Sequence, residues 1–231
     1  MKKALAWLLA RIQKSTGMPT VHIAVPKILL TVLLAELQRK LSSPREINRT
    51  LHKYGIWGGS ICLVSMARPE DLQKIFPRDH RVEKVADFME IYGKIAWYLF
   101  AGHMPSMEIK IIKLSKGPAL KGTIISDPRK ETFVKDILSP RGVSPYYVCS
   151  GAYEAATAIA FRILKVDNKW WSVWRPLLDK EGLVGFYIWK ENPVNEVVEI
   201  IEKEEPHFFK DVTLEDSAQY IKSYIGVDIL S

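Results

Sequence analysis

The segment Leu51-His52-Lys53-Tyr54-Gly55-Ile56-Trp57-Gly58-Gly59-Ser60-Ile61-Cys62 constrains this chain more than any other stretch. It lies downstream of a helix start signal, Ser43 at the N-cap and Pro44 at the first helical position, so it reads as part of a helix from about Arg45 to Ala67. That helix holds three glycines within five positions, and each costs about 1 kcal/mol relative to alanine. A helix that keeps them needs a compensating close contact. Gly55 and Gly59 are four residues apart and share one face. The expectation is that another helix, or a slender ligand, lies against that bare face.

The neighbouring patterns supply the elements. Lys27 to Leu41 is apolar on nearly all sides through Ala35 and one-sided after Glu36, the pattern of a helix at the centre of a core. Ser42-Ser43-Pro44 turns the chain into the glycine-bearing helix, which makes a hairpin. Pro69 to Arg81 is polar and proline-marked, an exposed connector. Val82, Val85, Phe88 or Met89, Tyr92, Ile95 or Ala96, and Leu99 then define one face of a helix that ends near Gly102. The period changes to alternation over Met107–Leu114 and again over Lys121–Asp127, an antiparallel pair around the turn at Lys116-Gly117-Pro118. Thr132 to Leu138 reads as a short strand or a turn. Ser144-Pro145 opens a helix whose face carries Cys149, Ala152, Ala155, Ala156, Ile159 and Ile163. Two aromatic-rich strands, Lys169–Arg175 and Leu183–Lys190, form a second hairpin, in which sheet-to-helix packing of the tryptophans is the default over stacking on bases or sugars. An acidic helix from Asn192-Pro193 to about Glu205 and another capped by Thr213-Leu214-Glu215-Asp216 close the chain.

Three regions follow. Residues 1–20 hold an amphipathic N-terminal helix, with Leu5, Leu8, Leu9 and Ile12 at helical spacing among Lys2, Lys3, Arg11 and Lys14. Residues 21–191 form an α+β domain with helices packed on one side of an antiparallel sheet. Residues 192–231 are a helical C-terminal extension with the look of an appended tail. At 231 residues and 48% hydrophobic composition, the chain has enough apolar material for a sizeable core.

The formal charge of +7 is unevenly placed. Residues 1–53 carry ten Lys or Arg against only Glu36 and Glu46. Such a basic end suits an anionic surface, although a solvated charged face is the commoner origin of any local excess. Phospholipid and nucleic acid both qualify as anionic, but no recognition-module spacing accompanies the tryptophans, so nucleic acid is not expected as a partner. No run of 18 apolar residues occurs, and Arg11 interrupts the apolar stretch after Lys2-Lys3, which therefore reads as mature sequence. Cys62 and Cys149 sit in apolar helical surroundings with no C-x-x-C partner, which argues against a disulfide framework or a zinc site and for a cytoplasmic protein, peripheral to membranes if its basic end engages them.

No motif marks catalysis. The chain has no G-x-G-x-x-G, no G-x-x-x-x-G-K-[ST], no G-x-S-x-G and no H-E-x-x-H, and its five histidines, His22, His52, His80, His103 and His207, are scattered singly. Gly55-Ile56-Trp57-Gly58-Gly59 lacks the preceding buried strand and the lysine of a phosphate loop. An enzyme is not expected.

Three patches, in order, resemble one family. They are Leu51 to Gly59, similar to the pattern L-x-K-M-G-x-x-x-G; Gly93-Lys94-Ile95-Ala96-Trp97-Tyr98-Leu99-Phe100-Ala101-Gly102, similar to A-K-x-A-F-K-x-Y-L-G; and Tyr147-Val148-Cys149-Ser150-Gly151-Ala152, similar to N-x-L-C-G. The family is the Bet-three-type subunits of TRAPP, the transport protein particle that tethers vesicles, and the likeness spans roughly residues 22 to 190. The resemblance implies a mixed fold with helices on one side of an antiparallel sheet, dimerisation with a second copy or a related subunit through helical faces, and a narrow hydrophobic channel for an acyl chain. It also implies assembly in place of catalysis, within a complex that acts on a Rab GTPase through several subunits together. The related 4-vinyl reductase domain, a sensor of small hydrophobic ligands, supplies an alternative; its later cysteine cluster has no counterpart after Cys149.

One departure matters most. Where the typical subunit carries its acylated cysteine this chain has Val82, so covalent acylation there is excluded. A non-covalent fatty acid or acyl lipid stays open, as does a channel filled by side chains. The candidate ligand-binding residues are Gly55, Gly59, Cys62, Val82, Val85, Cys149 and Ala152, with no metal and no other cofactor expected.

Overall fold

The computed structural model describes residues 24–66, 81–101, 103–127, 129, 134, 137–163 and 170–230. These residues form an α+β fold. Its elements in order are α1 (Ala24–Lys40), α2 (Pro44–Met66), α3 (Val82–Ala101), β1 (Ser106–Lys113), β2 (Pro118–Ile125), α4 (Tyr146–Ile163), β3 (Trp170–Pro176), β4 (Gly182–Trp189), α5 (Val194–Glu204) and α6 (Leu214–Ile225). The expected amphipathic helix within residues 1–20, the connector from Pro69 to His80, the stop at Gly102 and most of the stretch from Thr132 to Leu138 lie outside the described residues. Among the described residues no helix is long and apolar enough to cross a membrane.

Local chemistry sets the helix starts. At α2 the Glu46 N–H donates to Ser43 Oγ at 3.2 Å and the Ser43 hydroxyl donates back to the Glu46 carboxylate at 3.1 Å. At α6 Thr213 and Asp216 form a reciprocal capping box, and Gly226 ends the helix in the left-handed region at φ 73°. Both starts fall where Ser43-Pro44 and Thr213-Leu214-Glu215-Asp216 place them in the sequence.

The sheet is antiparallel throughout, in the order β1-β2-β4-β3. Two hairpins, β1–β2 and β3–β4, join along β2 and β4, with Gly122 opposite Gly185. Alternation divides the strand side chains between two faces. Leu120, Ile124, Leu183, Tyr187 and Trp174 point to one face, where α3 supplies Val85, Met89 and Trp97 and α4 supplies Cys149, Tyr153 and Phe161. Helices α3 and α4 thus cover one side of the sheet. Ala119, Trp171, Val173, Val184, Phe186 and Ile188 point to the reverse face, which is closed by Val197 and Ile201 of α5, Phe208, and Leu214, Ile221 and Ile225 of α6. Residues 192–231 are therefore the second wall of the core. Burial on both faces also explains why β3 and β4 are apolar and aromatic at nearly every position.

The centre of the helical layer is α4, buried along nearly its whole length, and not α1 as the apolar run from Lys27 suggests. Leu30, Leu34 and Leu37 of α1 pack with Ile47 and Leu51 of α2, while Ile28, Leu29 and Val32 on its other side stay 60%, 64% and 62% exposed. An all-round apolar helix signals many contacts, but α1 finds core on one side only.

Candidate functional site

The glycines of α2 press directly on α4. A Cβ added at Gly55 would lie 2.1 Å from the Val148 carbonyl oxygen, and one at Gly59 would lie 2.9 Å from the Cα of Ala152. The fit is reciprocal, because a Cβ at Gly151 of α4 would lie 2.1 Å from the His52 carbonyl oxygen. Backbone meets backbone along this seam. Of the two expected occupants of the bare face, the helix is the one present, and no room is left between α2 and α4 for a ligand at Gly55, Gly59 and Ala152.

The remaining candidate residues lie elsewhere. Val85 and Cys149 are buried in the core between α3, α4 and the sheet, and Val82 packs against that cluster at the start of α3. Cys62 is on α2, its side chain outside what is described. Apart from Cys62, these residues separate into a closed helix seam and an apolar core on the α3 side. In that core three buried donors, Trp97 Nε1, Trp174 Nε1 and Tyr187 Oη, find no hydrogen-bond partner among the described residues. A cavity of about 20 Å³ lies at the outer edge of β3, between Glu154, Trp170, Ser172, Ile221 and Ile229, and holds water-sized molecules only.

The polar centre of the molecule is one that the sequence motifs do not announce. His52 of α2, Glu154 of α4 and Arg175 of β3 are all buried, although they come from three separate elements. The Glu154 carboxylate accepts from the Arg175 Nη1 at 2.7 Å, from the Trp174 backbone N–H at 2.8 Å and from His52 Nε2 at 3.0 Å. Arg175 also donates to the carbonyls of Val212 and Thr213 and to Ser217 Oγ, which fastens the entry of α6 to the sheet edge. His52 Nδ1 lies 2.9 Å from Ser150 Oγ, and the Ser150 hydroxyl also donates to the Tyr147 carbonyl at 2.9 Å. A second knot stands beside the first. Asn48 donates to the Gly142 carbonyl and to Asp211, the Tyr147 hydroxyl donates to Asp211, and Arg49 pairs with Asp216.

Burial dominates the electrostatics. It pushes the His52 imidazole below its ordinary value of 6.5, and the nearby Glu154 offsets this only in part, so the ring is neutral and donates through Nε2. Burial works against the Glu154 carboxylate too, but His52, Arg175 and the Trp174 N–H outweigh it and hold the group below the usual range.

Serine, histidine and carboxylate in contact are the parts of a nucleophilic triad, and here they stand together in the buried centre. Ser150, His52 and Glu154 are each 0% exposed. The carboxylate is paired with Arg175, and the hydroxyl donates to a carbonyl of its own helix. Among the described residues no group of three or more His, Cys, Asp or Glu side chains converges as a metal site.

Sequence reasoning missed this centre because each member is a single residue in a different element. The signal was nevertheless present. Glu154 is the one acidic residue in the otherwise uncharged run Tyr146–Phe161, and Arg175 the one charge in the aromatic strand Trp170–Pro176. Two lone charges of opposite sign in two buried elements are a pairing signal. Comparison with protein-family models and with curated protein sequences finds no match to this chain.

Proposed function

We propose that this chain is a non-catalytic, TRAPP-like assembly and tethering module of the cytoplasm, which pairs with a second copy or a related subunit through the outward face of α2. The observation that carries the reading is a surface stripe. Tyr54, Trp57 and Ile61, at i, i+3 and i+7, are 40%, 51% and 54% exposed. They lie on a stretch, Tyr54 to Met66, that contains no charged residue. Gly58 beside them has nothing within 4 Å of where its Cβ would sit, so a second helix can approach the backbone closely. An aromatic stripe of this kind on a closed fold suits a protein interface, in which Trp and Tyr anchors carry most of the energy.

The resemblance through Leu51–Gly59, Gly93–Gly102 and Tyr147–Ala152 supports the same reading, because pairing through helical faces is what it implies. Action on a GTPase belongs, on this reading, to the assembled complex and not to one chain. The test is molar mass by light scattering at micromolar concentration. Twice the 26.4 kDa of one chain is expected, with Trp57→Glu returning the mass to that of one chain. A monomeric wild-type protein contradicts pairing with a second copy.

A second reading rests on the three partnerless donors in the α3-side core. A hydrophobic ligand with a polar end, a fatty acid or a sensor ligand of the 4-vinyl reductase kind, would sit beside Val85 and Cys149 and accept from Trp97, Trp174 or Tyr187. Native mass spectrometry before and after solvent extraction separates the readings. An extractable mass supports the ligand, and an unchanged mass removes it.

A further inference from the structure

We infer that a single buried water molecule is bound at the outer edge of β3, where it donates to the Glu154 carboxylate, bonds Ser172 and completes the hydrogen bonding of that edge. The sheet order β1-β2-β4-β3 leaves one side of β3 without a neighbouring strand. Leu177 turns its N–H to the Gly182 carbonyl, on the side of β4, whereas the Trp174 N–H turns outward and donates to Glu154 at 2.8 Å. Alternation therefore turns the Ser172 N–H outward as well. No described residue is bonded to it. The Ser172 hydroxyl shares this position: the residue is 4% exposed and lines the cavity of about 20 Å³, and its Oγ has no hydrogen-bond partner among the described residues. A water needs roughly 10–15 Å³ of such space, so one molecule fits and an organic ligand does not.

The acceptor stands on the opposite wall. Glu154 lines the cavity from α4, and an ionised carboxylate offers about four acceptor positions. Three are taken, by Arg175 Nη1, the Trp174 N–H and His52 Nε2. Water supplies the donor for the fourth, and with its own oxygen the acceptor that the Ser172 N–H lacks. Lys190 and Asp228 also line the cavity, but neither bonds Ser172 or Glu154, and Asp228 pairs with Lys222 at 2.8 Å. The consequence is a closed sheet edge. An edge strand with unpaired N–H and C=O groups invites another strand, and here Glu154 takes one outward N–H of β3 and the water takes the next. The water site holds whether or not two copies pair through α2.

A crystal structure of the full wild-type chain, at a resolution that shows ordered water, tests the inference. A water within about 2.6–3.2 Å of both Ser172 and the Glu154 carboxylate is expected. A dry cavity, or one in which the Lys190 ammonium takes that position, overturns the inference. In solution, oxygen-17 relaxation dispersion counts waters that stay bound for longer than the protein tumbles. Ser172→Val, which replaces the hydroxyl with a methyl group and fills the space, is expected to count one long-lived water fewer than the wild type. Equal counts in a variant with the wild-type circular dichroism spectrum overturn the inference, and if the variant does not fold, the wild-type crystal decides alone.

Discussion

The two sides of α2 obey opposite rules. On the inner side, Gly55 and Gly59 are kept because nothing larger fits against the α4 backbone. On the outer side, Gly58 has open space where its Cβ would be, and Tyr54, Trp57 and Ile61 are about half exposed. One helix therefore carries glycines that the fold requires and a glycine that it does not. What intramolecular packing leaves unexplained points to a contact with something else.

The comparison can be broken at several places, and the largest effect belongs to the inner side. Glu154→Ala removes the one carboxylate partner that buried Arg175 has among the described residues and is expected to cost about 3–5 kcal/mol, read from chemical denaturation. Loss of less than about 1 kcal/mol would mean that the network is not what holds α4, β3 and α6 together. Gly55→Ala comes next. With its Cβ 2.1 Å from a carbonyl oxygen the backbones must part, and about 1–3 kcal/mol of stability is expected to go.

A smaller effect is expected from pH. The unfolded chain takes up a proton at His52 near 6.5 while the folded chain resists it, so stability is full above 6.5 and falls as the pH drops below that value. Glu154, also held below its ordinary value of 4.5, adds to the loss below that pH. Denaturation midpoints at neutral and mildly acidic pH measure the first part, and His52→Gln is expected to flatten it. A midpoint that rises on acidification would show that His52 is charged in the fold. Smallest is Gly58→Ala, which meets no neighbour within the chain and, placed in the monomeric Trp57→Glu background, is expected to stabilise by about 0.5–1 kcal/mol. Opposite signs for Gly55→Ala and Gly58→Ala would establish the two-sided character of α2 with one residue type.

Much of this architecture is legible in the sequence because local rules decide it. Alternation marks the first hairpin and aromatic richness the second, Ser43-Pro44 marks the start of α2, and Thr213 with Asp216 marks α6. Spacing also puts Gly55 and Gly59 on one face in contact with something close. It does not say that α4 is that something, since the pairing of two helices across roughly a hundred residues is a tertiary fact. For the same reason Lys27–Leu41 reads as central when α1 is peripheral. Apolar content counts the faces that can be covered, not those that are. Helices α5 and α6 read as an appendix because their own sequences are amphipathic and acidic. Only the sheet's reverse face, with Trp171, Val173, Phe186 and Ile188, shows why they are needed.

The proposed pairing with a second copy lies on the outer side of α2, and the concentration dependence of the protein's thermal melt tests it most directly. If Tyr54, Trp57 and Ile61 pair with a second copy, the melting temperature of the wild-type chain rises with protein concentration, and that of Trp57→Glu does not. A wild-type melting temperature independent of concentration, or one that rises equally in Trp57→Glu, would contradict it.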